Sequence, residues 1–281
     1  MQRPSSRIAF LFAAVLLATA GYSYAQFGRG FGDLGFGEPV RWAPADFPDR
    51  HFTICRLMYT SVRREPNGGG WRTDYPYGEI NLMTRLSELT RTPVSFSSAH
   101  RPLQWVVRLT DDQLFNCPYT VASDVGTIGL SQPEADRLRL YLEKGGFLWV
   151  DDFWGTAAWT QWTRELAKAL PPSEFPIEDV PLNDPIFTTQ FTVTKIPQIT
   201  NIQFWRGVAG STTQERGSDS PEAYFRAIRD KRDGRIMVAM THNTDVADSW
   251  EREGEDPAYF YRFSPDGYAL GINVLLYAMT H

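Results

Sequence analysis

Cysteine is scarce in this chain, since only Cys55 and Cys117 occur among its 281 residues. Two cysteines are far too few for a disulfide scaffold. Both lie within or just before candidate strands that are expected to be neighbours, so the sequence leaves two alternatives, one Cys55–Cys117 disulfide or two buried thiols. Neither cysteine is placed as an exposed thiolate, which argues against cysteine chemistry.

A nucleophilic serine or cysteine is also missing from the place where a nucleophile elbow needs one. The elbow requires that residue in a tight turn directly after a strand. Here the central apolar strand is followed by Asp151 and Asp152, and then by Phe153, Trp154 and Gly155. The sequence therefore offers two neighbouring carboxylates at this position and disfavours nucleophilic catalysis by serine or cysteine.

Positive charge is in the minority, with 28 Lys and Arg against 33 Asp and Glu and a net charge of −5. Loss of a signal peptide that carries Arg3 and Arg7 would make the net charge −7. An acidic chain without a basic block is a poor nucleic-acid binder. We therefore expect no nucleic-acid partner.

Long apolar runs are absent except near the N-terminus. Residues 8–20 form an apolar run, which Arg3 and Arg7 precede. The run is followed by Ser23-Tyr24-Ala25, which has small residues at the two positions that a signal peptidase recognises. This pattern predicts a signal peptide at 1–25, cleaved after Ala25, and an exported protein that is periplasmic or extracellular and has no stable membrane span. No cysteine follows the cleavage site, so a lipid anchor is not expected.

Residues 26–50 are rich in Gly and Phe and predict a flexible or loosely docked arm. From 51 to 281, apolar strands alternate with amphipathic helices. This alternation predicts one α/β domain with a mostly parallel central sheet, helices on both faces and the strand C-termini along one edge. The predicted strands are 52–59, 93–96, 119–122, 147–150 and 236–241, and the predicted helices are 80–90, 131–145, 157–170 and 268–280.

Ligands of open α/β sheets bind beyond the strand C-termini, so the residues that follow each strand are the candidates for a site. Asp151 and Asp152 follow the fourth predicted strand and His242 follows the last one. These three are the candidate catalytic residues, as a general acid and base or as metal ligands. The alternatives are structural, with an aspartate that caps a turn and an ordinary loop histidine. We expect Asp151 to anchor the turn and Asp152 to face a ligand.

A glycine-rich loop at 68–76 and a polar segment at 241–255 supply the candidate ligand-binding residues. The loop combines flat apolar faces with directional hydrogen bonding, which suits sugars or peptides; its alternative is a mobile hairpin-like loop whose tryptophan covers the core. The polar segment is expected to be a solvated flap, placed to close over the same edge. The candidates are Trp71, Arg72, Asp74, Tyr75, Asn243 and Asp245.

Six stretches of the chain, taken in order, resemble one known family. They are FTICRLMYTS, GGGWRTDYP, YLEKGGFLWVDDFWG, LNDPIF, MVAMTHNTD and GYALGINVLLYAMTH, of which GGWRTDYP and GGFLWVDD are the specific ones. This order looks like the exported bacterial domain of unknown function numbered forty-one fifty-nine, over residues 52–281. The resemblance implies a flavodoxin-like three-layer sandwich, similar to class I glutamine amidotransferases and to ThuA-like trehalose-utilisation domains.

The resemblance also limits the function. The amidotransferase triad does not carry over, because Val150-Asp151-Asp152 replaces the elbow cysteine and Thr241-His242-Asn243 replaces the His-x-Glu pair, so glutaminase activity is not expected. Asp184 stands where the ThuA-like group usually has histidine. Members of the family accompany MoxR-type ATPases and von Willebrand factor A proteins, which implies an envelope-associated assembly.

Two functions follow from these observations. The first is an exported, non-catalytic binding module of the cell envelope, whose strand-C-terminal crevice takes an envelope protein or a sugar-like small molecule. The alternative is a carbohydrate-acting hydrolase or isomerase with Asp151, Asp152 and His242 as acid, base or metal ligands. The absent nucleophile favours the first function. The sequence identifies neither a cofactor nor a metal.

Overall fold

A computed structural model of the protein describes residues 39–281. The predicted signal peptide and residues 26–38 of the predicted arm lie outside the described residues. The described chain is built around one large sheet. The strands are β1 (Ile54–Met58), β2 (Thr60–Ser61), β3 (Gln104–Arg108), β4 (Tyr119–Ser123), β5 (Ile128–Gly129), β6 (Phe147–Phe153), β7 (Glu178–Asp179), β8 (Tyr224–Arg229) and β9 (Ile236–His242). The α-helices are α1 (Tyr77–Leu89), α2 (Gln132–Glu143), α3 (Gly155–Ala169), α4 (Ile202–Gly207), α5 (Asp248–Glu251) and α6 (Pro257–Thr280).

The large sheet has seven strands in the order β3-β1-β4-β6-β9-β8-β7, and β2 pairs with β5 in a separate small sheet. The five strands from β3 to β9 are parallel. Strand β8 runs antiparallel to β9, and β7 runs antiparallel to β8. The buried apolar run Phe-Leu-Trp-Val of β6 is typical of a central strand that is covered on both faces. The prediction of an α/β fold with a mostly parallel sheet is confirmed.

Two hydrophobic cores lie on the opposite faces of the sheet. Successive side chains of a strand point to opposite faces, so Ile54 packs into the core that contains residues of α1 and α6. The neighbouring residue, Cys55, packs into the core that contains residues of α2 and α3. Helices therefore cover both faces, and burial of their apolar side chains holds the three layers together.

Capping residues fix the ends of two helices. Helix α2 begins with a capping box, in which the backbone N–H of Ser131 donates to the Glu134 carboxylate at 2.8 Å. Helix α6 begins well before its predicted start at 268, because the Asp256 carboxylate caps it by accepting from the N–H groups of Ala258 and Tyr259. The helix then continues through Pro265, which the sequence pattern treats as a boundary.

The strands toward the two edges of the sheet differ from those predicted from the sequence. The predicted strand at 93–96 is wrong, because Val94 and Phe96 form only isolated bridges, with Phe52 and Pro102. The edge strand is β3, and the residues of the predicted arm extend its pairing, since Ala43 donates its N–H to the Val106 carbonyl at 3.1 Å. The antiparallel strands β7 and β8 were not predicted; β7 has only two residues and lies in the irregular, proline-rich passage between Pro171 and Pro197.

Strands β1 and β4 are neighbours in the sheet, and this places the two cysteines together. Of the two alternatives that the sequence leaves, the structure has the Cys55–Cys117 disulfide, with Cα atoms 6.0 Å apart. None of the helices in residues 39–281 is both long enough and apolar enough to cross a membrane.

Candidate functional site

The C-terminal edge of the parallel strands carries an unusual backbone. Four polar residues at this edge have positive φ angles: Asp74 (66°), Asp124 (53°), Asp152 (52°) and Asn243 (61°). Non-glycine residues rarely adopt this left-handed conformation, and such strain is concentrated at functional sites. A functional site is therefore expected at this edge of the sheet.

Asp152 lies in a β-bulge of β6. The register between β6 and β9 shifts between Val150 and Phe153. The bulge and the left-handed backbone of Asp152 point its side chain in a different direction from that of Asp151. Its Oδ1 accepts a hydrogen bond from Trp154 Nε1 at 3.0 Å. The side chain is half-buried and lines a pocket at the edge of the sheet, which is where a ligand-facing residue is expected.

Asp151 is fully buried and serves as an anchor. Its Oδ1 accepts from Thr241 Oγ1 at 2.6 Å, and its Oδ2 accepts from the backbone N–H of Ala247 at 3.0 Å. Burial raises the pKa of Asp151 to about 6, and these hydrogen bonds act in the opposite direction. The anchored segment is the one that follows β9, rather than the turn after β6 for which an anchor was expected.

Three carboxylates from distant parts of the chain converge beside Asp152. Asp74, Asp152 and Asp245 each offer an oxygen, and these oxygens lie within 4.8 Å of one another. Asp74 Oδ2 accepts from Ser123 Oγ at 2.8 Å, and Asp245 Oδ1 accepts from the backbone N–H of Asp248 at 2.9 Å. These bonds fix two of the carboxylates and leave one oxygen of each free to bind a ligand.

The electrostatics of the three carboxylates are unfavourable without a cation. Burial raises the pKa of Asp152 well above its usual range, and the charges of Asp74 and Asp124 raise it further. Burial is also the largest influence that raises the pKa of Asp245, and the charges of Asp152 and Asp74 raise it further. For both groups the largest influences after burial come from other carboxylates, which repel one another. Asp and Glu oxygens in such a set are the ligands that Mg²⁺, Mn²⁺ and Ca²⁺ prefer.

The pocket beside this set is small and polar. Its free volume of about 10 Å³ suits one water-sized particle rather than a sugar ring. Asp124 lines it and accepts from the Gly70 N–H at 2.8 Å, and burial raises the pKa of Asp124 to about 7. A Cβ on Gly68 would lie 2.4 Å from Asp124 Oδ2, so the close approach of this loop requires glycine. The lining residues include Glu65, Asn67, Asp124, Asp152, Glu215 and Asp245, together with Arg216, whose guanidinium pairs with Glu65 and Glu215.

Of the glycine-rich loop, only Asp74 joins the carboxylate set. Trp71 packs against Tyr75, with ring centroids 5.6 Å apart, and the Arg72 guanidinium lies 4.7 Å from the Trp71 ring. Tyr75 is buried, and its hydroxyl accepts from the backbone N–H of Arg41 at 3.2 Å. The aromatic rings therefore pack on one another and on the loop.

His242 and Asn243 hold the start of α3. His242 Nε2 lies 3.2 Å from the Gly155 carbonyl and Nδ1 lies 3.3 Å from Arg226, and Asn243 Oδ1 accepts from the Gly155 N–H at 2.8 Å. Burial lowers the pKa of His242 to about 4, so the ring is neutral. With Nδ1 accepting from Arg226 and Nε2 donating to Gly155, both ring nitrogens have structural partners.

The polar segment at 241–255 is not a solvated flap. All residues from 241 to 250 are buried, and many of their polar groups find partners inside the fold; Thr244 Oγ1, for example, donates to the Pro197 carbonyl at 2.8 Å. Within this segment, Asp248 and Glu251 lie on one helical turn and approach Asp74. Sequence reasoning missed both, although their spacing of three residues places them on one helix face.

Stability without a cation should fall as pH rises. The raised pKa values of Asp74, Asp124, Asp152, Asp245 and Asp248 mean that the folded state binds more protons than the unfolded state above the unfolded pKa of 3.8. His242 acts in the opposite direction, but only between its usual 6.5 and about 4. From about pH 6.5 to 7.5, the range in which the Asp124 carboxyl titrates, we expect the free energy of unfolding to drop with a slope on the order of 1 kcal/mol per pH unit.

Urea unfolding in EDTA at several pH values measures this slope. Asp124→Asn should reduce the slope near pH 7, where the Asp124 carboxyl titrates. A stability that stays flat or rises across this range would contradict the prediction.

Comparison with known proteins assigns the family. The pattern of the family described as a domain of unknown function (DUF4159) matches residues 53–279. No curated protein matches the chain. Because the matched residues make up most of the 281-residue sequence, and the ordered motifs point to the same family, the chain belongs to the DUF4159 family.

Proposed function

We propose that this protein is a binding module that holds a divalent cation in the crevice beyond the strand C-termini, with Asp74, Asp152 and Asp245 as ligands. The observation that carries the proposal is the convergence of three carboxylate oxygens within 4.8 Å, where the largest influences on Asp152 and Asp245 after burial are the charges of other carboxylates. Such a set is costly when ionised and empty, and a hard divalent cation removes the cost.

The fold proposal is a flavodoxin-like sandwich of the amidotransferase-like and ThuA-like kind. Its support is the order of the five parallel strands, which is second, first, third, fourth and fifth along the chain. That order belongs to flavodoxin-like sheets, whose ligands bind where the strand order reverses. In this sheet the reversal lies between β1 and β4, where Asp124 and the glycine-rich loop meet.

The non-catalytic part of the proposal rests on the residue at the elbow. Asp152 has a left-handed backbone at the C-terminal end of β6, three residues before α3 begins at Gly155, close to where a nucleophile elbow places serine or cysteine. Burial raises the pKa of the Asp152 carboxyl and so favours its protonated form, which is a poor nucleophile. Export to the cell envelope, and partners of the MoxR or von Willebrand factor A kind, belong to the same proposal and rest on the family resemblance and the N-terminal sequence pattern.

A carbohydrate-acting hydrolase or isomerase is the second candidate, favoured by the access of Asp152 to the pocket. The contacts of Asp151 and His242 with structural partners weigh against it. Hydrolysis of chromogenic glycosides that requires Mn²⁺ and is lost in Asp152→Asn would favour this candidate over the binding module.

Divalent cations should stabilise the protein through Asp152. After EDTA treatment and dialysis, Mg²⁺, Mn²⁺ or Ca²⁺ at about 100 times its dissociation constant should add about 3 kcal/mol to the free energy of unfolding, which is about 8 °C in Tm. Asp152→Asn should abolish this shift, because the amide keeps the acceptor for Trp154 but removes the charge of one ligand.

The matched control is Asp112→Asn, which changes an aspartate whose side chain is 91 % exposed. That variant should keep the full thermal shift. An absence of any shift with the three cations, or an equal shift in Asp152→Asn, would contradict the cation site.

A further inference from the structure

We infer that the protein binds a second divalent cation, held by Asp74, Asp248 and Glu251, so that two cations share Asp74. The oxygens that these three residues offer lie within 4.8 Å of one another, as they do in the set formed by Asp74, Asp152 and Asp245. The inference rests on the proposed function only through Asp74, which belongs to both sets.

Asp248 provides an observation that is independent of the clustering. Its side chain is buried, with 1 % exposure. One oxygen, Oδ2, accepts from the backbone N–H of Ile202 at 2.6 Å, whereas Oδ1 has no hydrogen-bond partner. A buried carboxylate oxygen without a partner is destabilising and rare in folded proteins. A metal ion supplies the missing partner.

The two sets are joined by a short stretch of backbone. Asp248 and Glu251 occupy the ends of the single turn α5, and the backbone N–H of Asp248 donates to Asp245 Oδ1 at 2.9 Å. This bond holds Asp245, which belongs to the first set, against the turn that carries Asp248 and Glu251, which belong to the second. The fold therefore presents both sets as one unit, at the end of β9.

The charge balance favours two cations over one. The two sets contain five carboxylates. Arg252 lies beside the second set, with Nε 3.2 Å from Glu251 Oε2 and 3.9 Å from Asp248 Oδ1. The charge of Arg56 lowers the pKa of Asp74, but Arg56 is already paired with Glu79. Arg252 also pairs with Glu255 at 3.5 Å, outside the two sets, so at least four of the five negative charges remain, which two divalent cations neutralise.

Protons are the competing way to neutralise the second set, since Asp248 and Glu251 lie close enough to share one. A shared proton predicts no metal stoichiometry, whereas a cation site predicts a fixed one. The two explanations therefore separate in a direct binding measurement.

Mn²⁺ binding to the intact, EDTA-treated protein tests the inference. Equilibrium dialysis at pH 7.5 should give two Mn²⁺ ions per chain, and the EPR spectrum of the loaded protein should be broadened by coupling between two neighbouring ions. Glu251→Gln and Asp248→Asn should each reduce the stoichiometry to one and restore the six-line spectrum of an isolated ion. Circular dichroism confirms that each variant is folded, and Glu251→Gln carries the test if Asp248→Asn does not fold.

The outcomes separate this inference from the proposed function. One Mn²⁺ per chain that is lost in Asp152→Asn but unaffected by Asp248→Asn and Glu251→Gln overturns the second site and leaves the first. Two uncoupled ions overturn the shared Asp74. One ion that is lost in Glu251→Gln and kept in Asp152→Asn supports the second site and overturns the first. No bound Mn²⁺ overturns both, and protons then neutralise the carboxylates.

Discussion

Replacing Asp74 by asparagine should remove cation-dependent stabilisation altogether. Asp74 belongs to both carboxylate sets, so its charge serves each proposed cation. At cation concentrations about 100 times the dissociation constants, each site adds about 2.7 kcal/mol, and their joint loss amounts to about 5.4 kcal/mol of unfolding free energy. Differential scanning calorimetry with and without Mg²⁺ or Mn²⁺ measures the difference.

The same variant should behave in the opposite way without a cation. Burial and the charge of Glu251 raise the pKa of Asp74 well above its usual range, so its ionised form destabilises the fold at neutral and alkaline pH. Asparagine keeps an acceptor for the Ser123 hydroxyl and removes the charge. In EDTA at about pH 8, Asp74→Asn should therefore be more stable than the native protein. A variant that is less stable under both conditions would point to a purely structural role.

Replacing Arg56 by methionine should destabilise the fold by about 3 to 5 kcal/mol. Arg56 is buried in β1, pairs with the buried Glu79 of α1 and donates to Ser123 Oγ at 2.8 Å. Removal of the guanidinium leaves the Glu79 carboxylate as an uncompensated buried charge. Chemical unfolding measures the loss, and the midpoint should move to a much lower denaturant concentration at an unchanged slope.

A second substitution separates this charge effect from lost packing. In Arg56→Met with Glu79→Leu, the buried Arg56–Glu79 ion pair is removed as a whole, so most of the lost stability should return. Ser123 keeps its bond to Asp74 in this double variant, and cation binding should survive. If the double variant is as unstable as Arg56→Met alone, shape rather than charge explains the effect.

Local sequence patterns were sufficient for the centre of the fold. The continuous apolar runs of β6 and β9 and the capping box of α2 are short-range signals, and the structure has these elements close to the predicted bounds. The strands β3, β7 and β8 were missed: β7 is an edge strand of only two residues, whereas β3 and β8 contain the aromatic and β-branched residues that favour strands and could have been detected. The irregular passage before β8 carries no periodicity that would have revealed β7.

At the site, the sequence alone provided only an expectation that Asp151 and Asp152 have different roles. Both aspartates follow the same strand, and the bulge that turns Asp152 toward the pocket depends on the pairing of β6 with β9. His242 was a reasonable candidate at the end of a strand, but burial beside Phe153 and Trp159 gives it a neutral ring with structural partners. Asp248 was hidden in a segment whose polar composition is typical of solvated loops.

By itself, the sequence determined the family, the α/β class and the presence of carboxylates at the strand ends, because motifs and periodicity are properties of short segments. Only the tertiary structure decided which carboxylates meet. Asp74, Asp152, Asp245 and Asp248 come from loops that parallel strands bring to one edge, and parallel pairing requires long crossovers that place the partners far apart in sequence. Burial at that edge, rather than residue identity, then raises their pKa values and makes the set suited to a cation.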